Sequence, residues 1–109
     1  MIPSQMLKGL LEGAILEVIR GNETYAYEIS NHLETFGFGE ISEGTIYPII
    51  LRLQKNQYIT GENRPSPSGP KRKYYRLTPA GFDYLDTFKT DWHKLQSAMR
   101  NLLKGDDGV

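Results

Sequence analysis

Apolar residues near the start of the chain recur at the three- and four-residue spacing of an amphipathic helix. The first such pattern covers residues 4–19, with Ser4 as its N-cap and Gly21-Asn22 as its stop signal. The second runs from about residue 24 to 35 and ends before the breaker Gly37-Phe38-Gly39. We therefore predict two consecutive helices in this part of the chain.

A third helical pattern begins at Ser42, which suits an N-cap, and runs to about residue 56. Its apolar positions form one buried stripe: Ile46, Ile49, Ile50 and Leu53. The opposite face carries Thr45, Tyr47, Pro48, Arg52 and Lys55. The hydroxyl and cationic side chains of this face can donate hydrogen bonds to phosphates or base edges, and a helix N-terminus attracts phosphate. Ser42 and this face are therefore a candidate DNA-reading surface, although the pattern also fits the solvent face of a small bundle.

After Asn56 the apolar spacing changes from helical to alternating. Residues 58–60 start one strand, residues 64–70 form a turn rich in proline and glycine, and residues 73–77 return as a second strand. The alternation places Tyr75 and Leu77 on the buried face, although the register is open to the opposite assignment. We predict a β-hairpin with a long loop.

The last predicted helix covers residues 79–104 and opens with Thr78 as N-cap. Apolar residues recur along it at heptad spacing: Leu85, Phe88, Trp92, Leu95, Met99 and Leu102. A domain of this size needs only part of such a face for its own core, so we expect the stripe to form a homodimer interface, with packing inside one chain as the alternative. Residues 105–109 are expected to form a disordered tail.

Trp92 is the only tryptophan of the chain, and it falls on this heptad stripe. Two such residues meeting across a twofold axis would line a cavity suited to a small, planar aromatic ligand. Plain interface packing is the more common role of such a residue. Trp92 is therefore a candidate ligand-binding residue with an open alternative.

The order of these elements predicts a winged helix-turn-helix, a fold that is mainly α with a small β-hairpin. The second and third helices would form the helix-turn-helix, and the hairpin would be the wing. We expect residues 1–78 to form the DNA-binding domain and residues 79–104 to form a C-terminal dimerisation helix.

Charge is unevenly distributed along the chain although the net charge is zero. Residues 52–76 contain seven basic side chains and one acidic side chain. Four of these cations cluster at the loop end of the predicted hairpin: Arg64, Lys71, Arg72 and Lys73. Clustered cations beside a helix-turn-helix favour double-stranded DNA as the partner, with an attraction that weakens as salt rises. A solvated charged loop is the alternative.

The composition argues against several other classes of protein. The 109 residues fit one domain, and no cysteine is present for a disulfide or a thiolate metal site. No stretch is apolar enough for a bilayer, and the first residues lack the order of a signal peptide, so we expect a cytoplasmic protein. His32 and His93 fall on different helices without catalytic partners. We expect no enzyme activity, no cofactor and no metal.

Three sequence blocks are specific enough to suggest a family. They are Tyr25-Ala26-Tyr27-Glu28-Ile29, the block at 44–53 that begins Gly44-Thr45-Ile46-Tyr47-Pro48, and the block at 71–81 that begins Lys71-Arg72-Lys73-Tyr74-Tyr75. Together they resemble the PadR family of bacterial transcriptional regulators, in particular its short members with a single C-terminal helix. The resemblance implies a dimeric repressor that binds an inverted repeat in a promoter and is released by a small, often aromatic, molecule.

The resemblance also implies roles for individual residues. Thr45, Tyr47 and Arg52 would belong to the DNA-reading helix, Tyr27 would contact the DNA backbone, Trp92 would stack on the ligand, and the wing would consist of Lys71, Arg72 and Lys73. Two departures from the family pattern occur. Ala26 replaces a usual glycine, and the turn after the third helix lacks its glycine, so we expect Asn56 to take the left-handed conformation there.

Two other functions remain open at this stage. A winged helix used only for protein–protein contact would need no clustered cations on its wing. A small-molecule carrier whose DNA binding has decayed would need no intact DNA-reading helix. The cations and the block around Tyr47 favour a DNA-binding regulator over both.

Overall fold

The computed structural model of the chain describes residues 2–67 and 69–104. In this part of the chain the elements follow in the order α1 (Ser4–Leu7), α2 (Leu11–Gly21), α3 (Ala26–Thr35), α4 (Glu43–Lys55), β1 (Ile59–Arg64), β2 (Arg72–Leu77) and α5 (Pro79–Lys104). The molecule is mainly helical with one antiparallel hairpin, as predicted. The predicted disordered tail, residues 105–109, lies outside the described residues.

The prediction of a single first helix is wrong, because two helices occupy this part of the chain. α1 is one turn long, and α2 begins at Leu11 after a turn at residues 8–10. Gly9 in this turn has φ +100°, in the left-handed region that glycine adopts without a steric penalty. The apolar spacing continues across the glycine, so the break leaves no mark in the pattern.

α3 begins at Ala26 because the residues before it pair with the hairpin. The Thr24 carbonyl accepts a hydrogen bond of 2.8 Å from the Tyr75 amide, which forms an isolated bridge to β2. Tyr25 is accordingly extended, with φ −122° and ψ 166°. This bridge attaches the connection between α2 and α3 to the base of the hairpin.

α4 has its predicted cap, since the Ser42 hydroxyl accepts a hydrogen bond of 3.3 Å from the Thr45 amide. The helix continues through Pro48, whose ring provides no backbone donor. The chain then leaves α4 through Gln57, which has φ 63°, while Asn56 keeps φ −84°. The left-handed residue expected at Asn56 is therefore one position further along, at Gln57.

The two strands pair in one continuous antiparallel register. Ile59 lies opposite Leu77, and Arg64 lies opposite Arg72 at the far end. Tyr75 is buried at 2% exposure, and Leu77 packs at the edge of the core. The alternation that places Tyr75 and Leu77 on the buried face is thus confirmed.

The hydrophobic core is formed by Leu7 of α1, by α2, α3 and α4, by Ile41 before α4, by the hairpin and by the first turns of α5. Two glycines allow α5 to approach this core closely. A β-carbon at Gly13 would lie 2.3 Å from the Phe88 ring, and one at Gly81 would lie 2.0 Å from the Tyr58 carbonyl oxygen. The absence of side chains at these two positions therefore fixes how α5 packs on the domain.

α5 extends far beyond the core. We call residues 79–89 its inner half and residues 90–104 its outer half. Leu85 is buried in the inner half, whereas every residue of the outer half is exposed. The projecting helix gives the described chain a longest dimension of 60 Å, against 30 and 20 Å in the other two directions.

Candidate nucleic-acid interface

The face of α4 that points away from the core is exposed, as predicted. It carries Thr45, Tyr47, Pro48, Arg52 and Lys55. Ser42 is also exposed, and its hydroxyl, which caps the helix, lies 3.3 Å from the Thr45 hydroxyl. Two hydroxyls therefore stand at the positive end of the helix dipole, where anions bind favourably. Tyr27 of α3 is exposed as well, at 55%.

Tyr47 connects α4 with the hairpin. Burial, together with the neighbouring Tyr47 hydroxyl, raises the pKa of Tyr75 to about 12. The Tyr47 side chain remains partly exposed while its hydroxyl meets Tyr75. Tyr47 is therefore a contact between α4 and β2. We call the exposed face of α4 (Thr45, Tyr47, Pro48, Arg52 and Lys55) together with Lys71 and Lys73 of the wing the α4–wing surface.

Arg52 is exposed on α4 but has a partner inside the chain. Its Nε donates a hydrogen bond of 3.1 Å to Glu12 Oε2 on α2. The other carboxylate oxygen of Glu12 accepts a hydrogen bond from the Tyr84 hydroxyl on α5. This hydrogen bond, followed by burial, raises the pKa of Tyr84 to about 12. A chain of three side chains thus joins α4, α2 and α5.

Two of the three arginines of the wing, Arg64 and Arg72, are held by groups of the same chain. Arg64 forms ion pairs with Glu23 and Glu62. Arg72 donates a hydrogen bond of 2.8 Å to the Tyr25 hydroxyl, and its guanidinium lies 4.4 Å from the centre of the Tyr25 ring. Both arginines therefore fasten the wing to the connection between α2 and α3.

The two lysines of the wing differ from the arginines. Lys71 and Lys73 are exposed, and among the described residues neither forms an ion pair. A β-carbon at Gly61 would lie 2.8 Å from Lys73 Cε, so the glycine leaves space for the lysine stem along β1. Within the described part of the wing, Lys71 and Lys73 at its loop end can meet an anion without breaking an internal ion pair, as can the exposed Arg76 near the base of the hairpin.

The predicted heptad stripe divides between the two halves of α5. Leu85 is 1% exposed and Phe88 packs against the core, so the inner half is covered by its own chain. Leu85 has almost no surface left for a second chain. The outer half keeps its four stripe residues exposed: Trp92, Leu95, Met99 and Leu102.

Sequence reasoning missed four side chains that position the predicted contacts: Glu12, Glu23, Tyr25 and Tyr84. Three of the contacts they make join residues more than 40 positions apart, so no local spacing marks them. Tyr25 alone carries a signal, because it opens the block 25–29 that suggested the family.

Two searches of the described ranges, 2–67 and 69–104, gave negative results. No helix there is long and apolar enough to cross a membrane. No group of three or more histidine or acidic side chains there is placed to hold a metal ion.

Residues 15–87 match the model of the transcriptional regulator PadR-like family. The chain belongs to this family. A PadR-like transcriptional regulator from Bacillus cereus has a crystal structure that is similar over 94% of this chain and 99% of its own, with 48% sequence identity and a TM-score of 0.84. Family membership places the chain among transcriptional regulators rather than enzymes.

Two further relatives extend the comparison. Transcriptional regulator Rv3488 of Mycobacterium tuberculosis is 32% identical over 91 residues, which cover 84% of this chain and 80% of that protein. The PadR of Bacillus subtilis, solved in complex with operator DNA, is similar over 72% of this chain and 47% of its own, with 26% identity and a TM-score of 0.66. The similar structures confirm the predicted winged helix-turn-helix fold with a long C-terminal helix.

Proposed function

We propose that this PadR-like protein is a DNA-binding repressor that acts as a homodimer on an inverted repeat in a promoter and is released by a small, planar aromatic molecule. The α4–wing surface is the observation that carries the DNA contact. On it the exposed face of α4 meets β2 through Tyr47, and the wing adds Lys71 and Lys73. The similar structure of Bacillus subtilis PadR, solved in complex with operator DNA, supports DNA binding.

In this proposal α4 enters the major groove by its first turns. Thr45, Tyr47 and Pro48 are closest to the N-terminus of the helix, where side chains of a helix-turn-helix reach base edges. Ser42 stands at the helix end that attracts phosphate. Arg52, two turns further along, and Tyr27 on α3 contact the DNA backbone.

The wing contacts phosphates beside the groove. Lys71 and Lys73 supply the direct contacts, because neither has an ion-pair partner within the described residues. Arg64 and Arg72 add positive charge while they hold the wing in place. Each phosphate neutralised releases counterions, so binding weakens as salt rises.

The outer half of α5 supplies the dimer interface in this proposal. Its exposed residues Trp92, Leu95, Met99 and Leu102 continue the heptad spacing beyond the point where the core ends. Two such helices bury their apolar stripes when they pack around a twofold axis. That axis also relates the two copies of α4, as an inverted repeat requires.

Trp92 supplies the ligand contact in this proposal. Its indole is partly exposed, at 38%, at the first stripe position of the outer half. A planar molecule between the two copies of Trp92 would change the crossing of the α5 helices. Because α5 is packed on the core through Gly13 and Gly81, the two copies of α4 would then lose their match to the two half-sites.

Selection from a random duplex library, followed by fluorescence anisotropy, tests the DNA proposal. We expect the enriched duplex to contain an inverted repeat whose half-sites are about 10–10.5 base pairs apart, centre to centre. We also expect binding at physiological salt to be at least several hundredfold tighter than to a shuffled duplex. Thr45→Ala and Tyr47→Ala should weaken the selected site preferentially, whereas Arg52→Ala should weaken both duplexes.

Equal and salt-sensitive binding to selected and shuffled duplexes would contradict the proposal of a sequence-specific repressor. An absence of binding even at low salt would favour the winged helix as a protein-contact module.

A titration of the DNA complex with planar aromatic molecules tests the ligand proposal. We expect release of the duplex together with quenching of Trp92 fluorescence, and we expect Trp92→Ala to abolish release while it still binds DNA. Release that survives Trp92→Ala would place the ligand site elsewhere.

A further inference from the structure

The contact between Arg52 and Glu12 is the middle of a longer arrangement. Arg52 Nε donates to Oε2 of Glu12 at 3.1 Å, and Oε1 of the same carboxylate accepts from the Tyr84 hydroxyl. The Tyr84 ring is stacked on Tyr58, with 4.4 Å between the ring centres and 13° between the ring planes. Residues of α4, α2, α5 and the start of the hairpin therefore meet at this point.

The Glu12 carboxylate is held more firmly than a carboxylate in an ordinary surface ion pair. Exposed pairs contribute little because both side chains lose rotamer freedom when they meet. Here the Glu12 side chain is only 23% exposed, against 56% for Arg52. Tyr84, fixed by its stack on Tyr58, donates to the second oxygen, and its pKa of about 12 keeps the hydroxyl proton in place at neutral pH.

The geometry leaves the outer end of Arg52 available. Glu12 engages the Nε of the guanidinium, and among the described residues no hydrogen bond is made by the two terminal nitrogens. These nitrogens form the planar fork that binds a phosphate with two parallel hydrogen bonds. Because the bond at Nε already fixes the orientation of the guanidinium, the side chain loses less conformational freedom when its two terminal nitrogens bind a phosphate.

We propose that Glu12 and Tyr84 are positioning residues that orient Arg52 for a phosphate of the operator. Neither residue touches DNA; both act through the guanidinium of Arg52. The inference rests on the proposed function, because it requires that Arg52 contacts DNA. It also means that α5, through Tyr84, contributes to the DNA contact made by α4.

If Glu12 orients Arg52, Glu12→Ala changes the DNA affinity in the direction opposite to the one that charge repulsion alone predicts. An acidic side chain near DNA repels phosphates, so its removal alone would raise DNA affinity. If Glu12 instead orients Arg52, Glu12→Ala lowers the affinity as long as Arg52 is present. With Arg52 already replaced by alanine, only the repulsion remains, and Glu12→Ala then has no effect or a slightly favourable one.

A double-mutant cycle on DNA binding tests the inference. We would measure the Kd of the selected duplex by fluorescence anisotropy for the wild type, Glu12→Ala, Arg52→Ala and the double variant. We expect Glu12→Ala to weaken binding by roughly threefold to tenfold in the presence of Arg52 and to cause no loss in its absence. Tyr84→Phe keeps the ring on Tyr58, and we expect a smaller loss of about twofold to threefold that also requires Arg52.

Glu17→Ala is the matched control. It removes the same charge from the same helix and also breaks an ion pair to α5, with Lys89, but Glu17 has no contact with Arg52. We expect it to leave the Kd unchanged within about twofold. Thermal unfolding of each variant shows whether it is folded at the assay temperature, and Tyr84→Phe provides the test if Glu12→Ala is not.

The outcomes separate the inference from the proposed function. If the wild type does not bind a selected duplex, the proposed function fails and the inference fails with it. If the wild type binds and Arg52→Ala has no effect, only the role of Arg52, and with it the inference, is overturned. The inference is also overturned if Arg52→Ala weakens binding but Glu12→Ala binds as well as or better than the wild type.

Discussion

The inner and outer halves of α5 carry the same apolar repeat, but the repeat is buried in the inner half and exposed in the outer half. Leu85 is 1% exposed in the core of its own chain, whereas Leu102 is 71% exposed. The inner half meets α2, where Gly13 provides space for Phe88. The outer half projects beyond the core. A heptad repeat therefore specifies which face of a helix is to be covered, while the length of the neighbouring elements decides how much of that face the same chain can cover.

The cations of the wing show a parallel difference. Arg64 and Arg72 are held by Glu23 and Tyr25, whereas Lys71 and Lys73 of the same hairpin form no ion pair with the residues that the structure describes. In both comparisons we assign a second molecule to the side chains that their own chain leaves unpartnered. The outer half of α5 is assigned to a second protomer, and the lysines are assigned to DNA.

The largest effect is expected on the free energy of unfolding, from a substitution in the inner half of α5. Leu85→Ala should lower the free energy of unfolding by about 2–5 kcal/mol, because it leaves a cavity in the core. Urea-induced unfolding at several protein concentrations measures this. Leu95→Ala, in the outer half, should have a smaller effect that grows with the share of dimer and therefore depends on protein concentration. Equal, concentration-independent effects of the two variants would remove the distinction between the halves.

The next largest effect is expected on dimerisation, from a substitution in the outer half of α5. Leu95→Glu places a charge in the proposed apolar interface and should raise the dimer dissociation constant by about 100-fold, or roughly 2.8 kcal/mol, without unfolding the winged domain. Sedimentation velocity gives the oligomeric state and circular dichroism the helix content. Ser97→Glu, which adds the same charge on the opposite face of the helix, should remain dimeric. A dimer that survives Leu95→Glu would show that this stripe is not the interface.

A smaller effect should distinguish the lysines of the wing from its arginines. Replacing both Lys71 and Lys73 by alanine should reduce the slope of log affinity against log salt by about 2, because two phosphate contacts are lost. Arg72→Lys keeps the charge but loses the planar contact with Tyr25, so it should weaken binding with little change in slope. Anisotropy titrations at four or more salt concentrations measure the slopes. An unchanged slope in the double-lysine variant would contradict the assignment.

The smallest effect concerns Glu17, which pairs with Arg20 and with Lys89 of the inner half of α5. The hydrogen bond from Arg20, followed by that from Lys89, lowers the pKa of Glu17 from its ordinary 4.5 to about 2. The pair therefore stabilises the fold above pH 4.5, and this contribution is lost as the pH falls from 4.5 to about 2. Because the side chains are exposed, we expect less than about 1 kcal/mol.

Unfolding free energies of the wild type and Glu17→Gln between pH 7 and pH 2 check this expectation. The difference between the two proteins should shrink as the solution is acidified. A difference that stays constant down to pH 2 would mean that the ion pair does not contribute.

The sequence predicts those parts of the fold that depend on local rules. The Ser42 cap, the burial of Tyr75 and the span of α5 all follow from capping, alternation or helical spacing. The break at Gly9 escapes the same rules because a left-handed glycine interrupts the helix without disturbing the apolar spacing. The left-handed conformation of Gln57 escapes these rules as well. Asparagine tolerates the left-handed region better than glutamine does, so the rules predict this conformation for Asn56 and not for its neighbour Gln57.

The candidate site is predicted less completely for a different reason. The sequence places cations on the wing and on α4, but it does not show which of them are already held. Arg64 and Arg72 meet partners that are 41 and 47 residues away, and Arg52 meets Glu12 at a separation of 40 residues. Such contacts depend on how the helices pack, so they become visible only in the folded chain.

One measurement tests most directly whether the outer half of α5 and the α4–wing surface act together. It is the binding of wild type, Leu95→Glu and Ser97→Glu to the selected inverted repeat and to a shuffled duplex at physiological salt. The account predicts a preference of at least several hundredfold for the wild type and Ser97→Glu, and a preference near one for the monomeric Leu95→Glu. A wild type without preference, or a monomeric Leu95→Glu that keeps the full preference, would contradict the account.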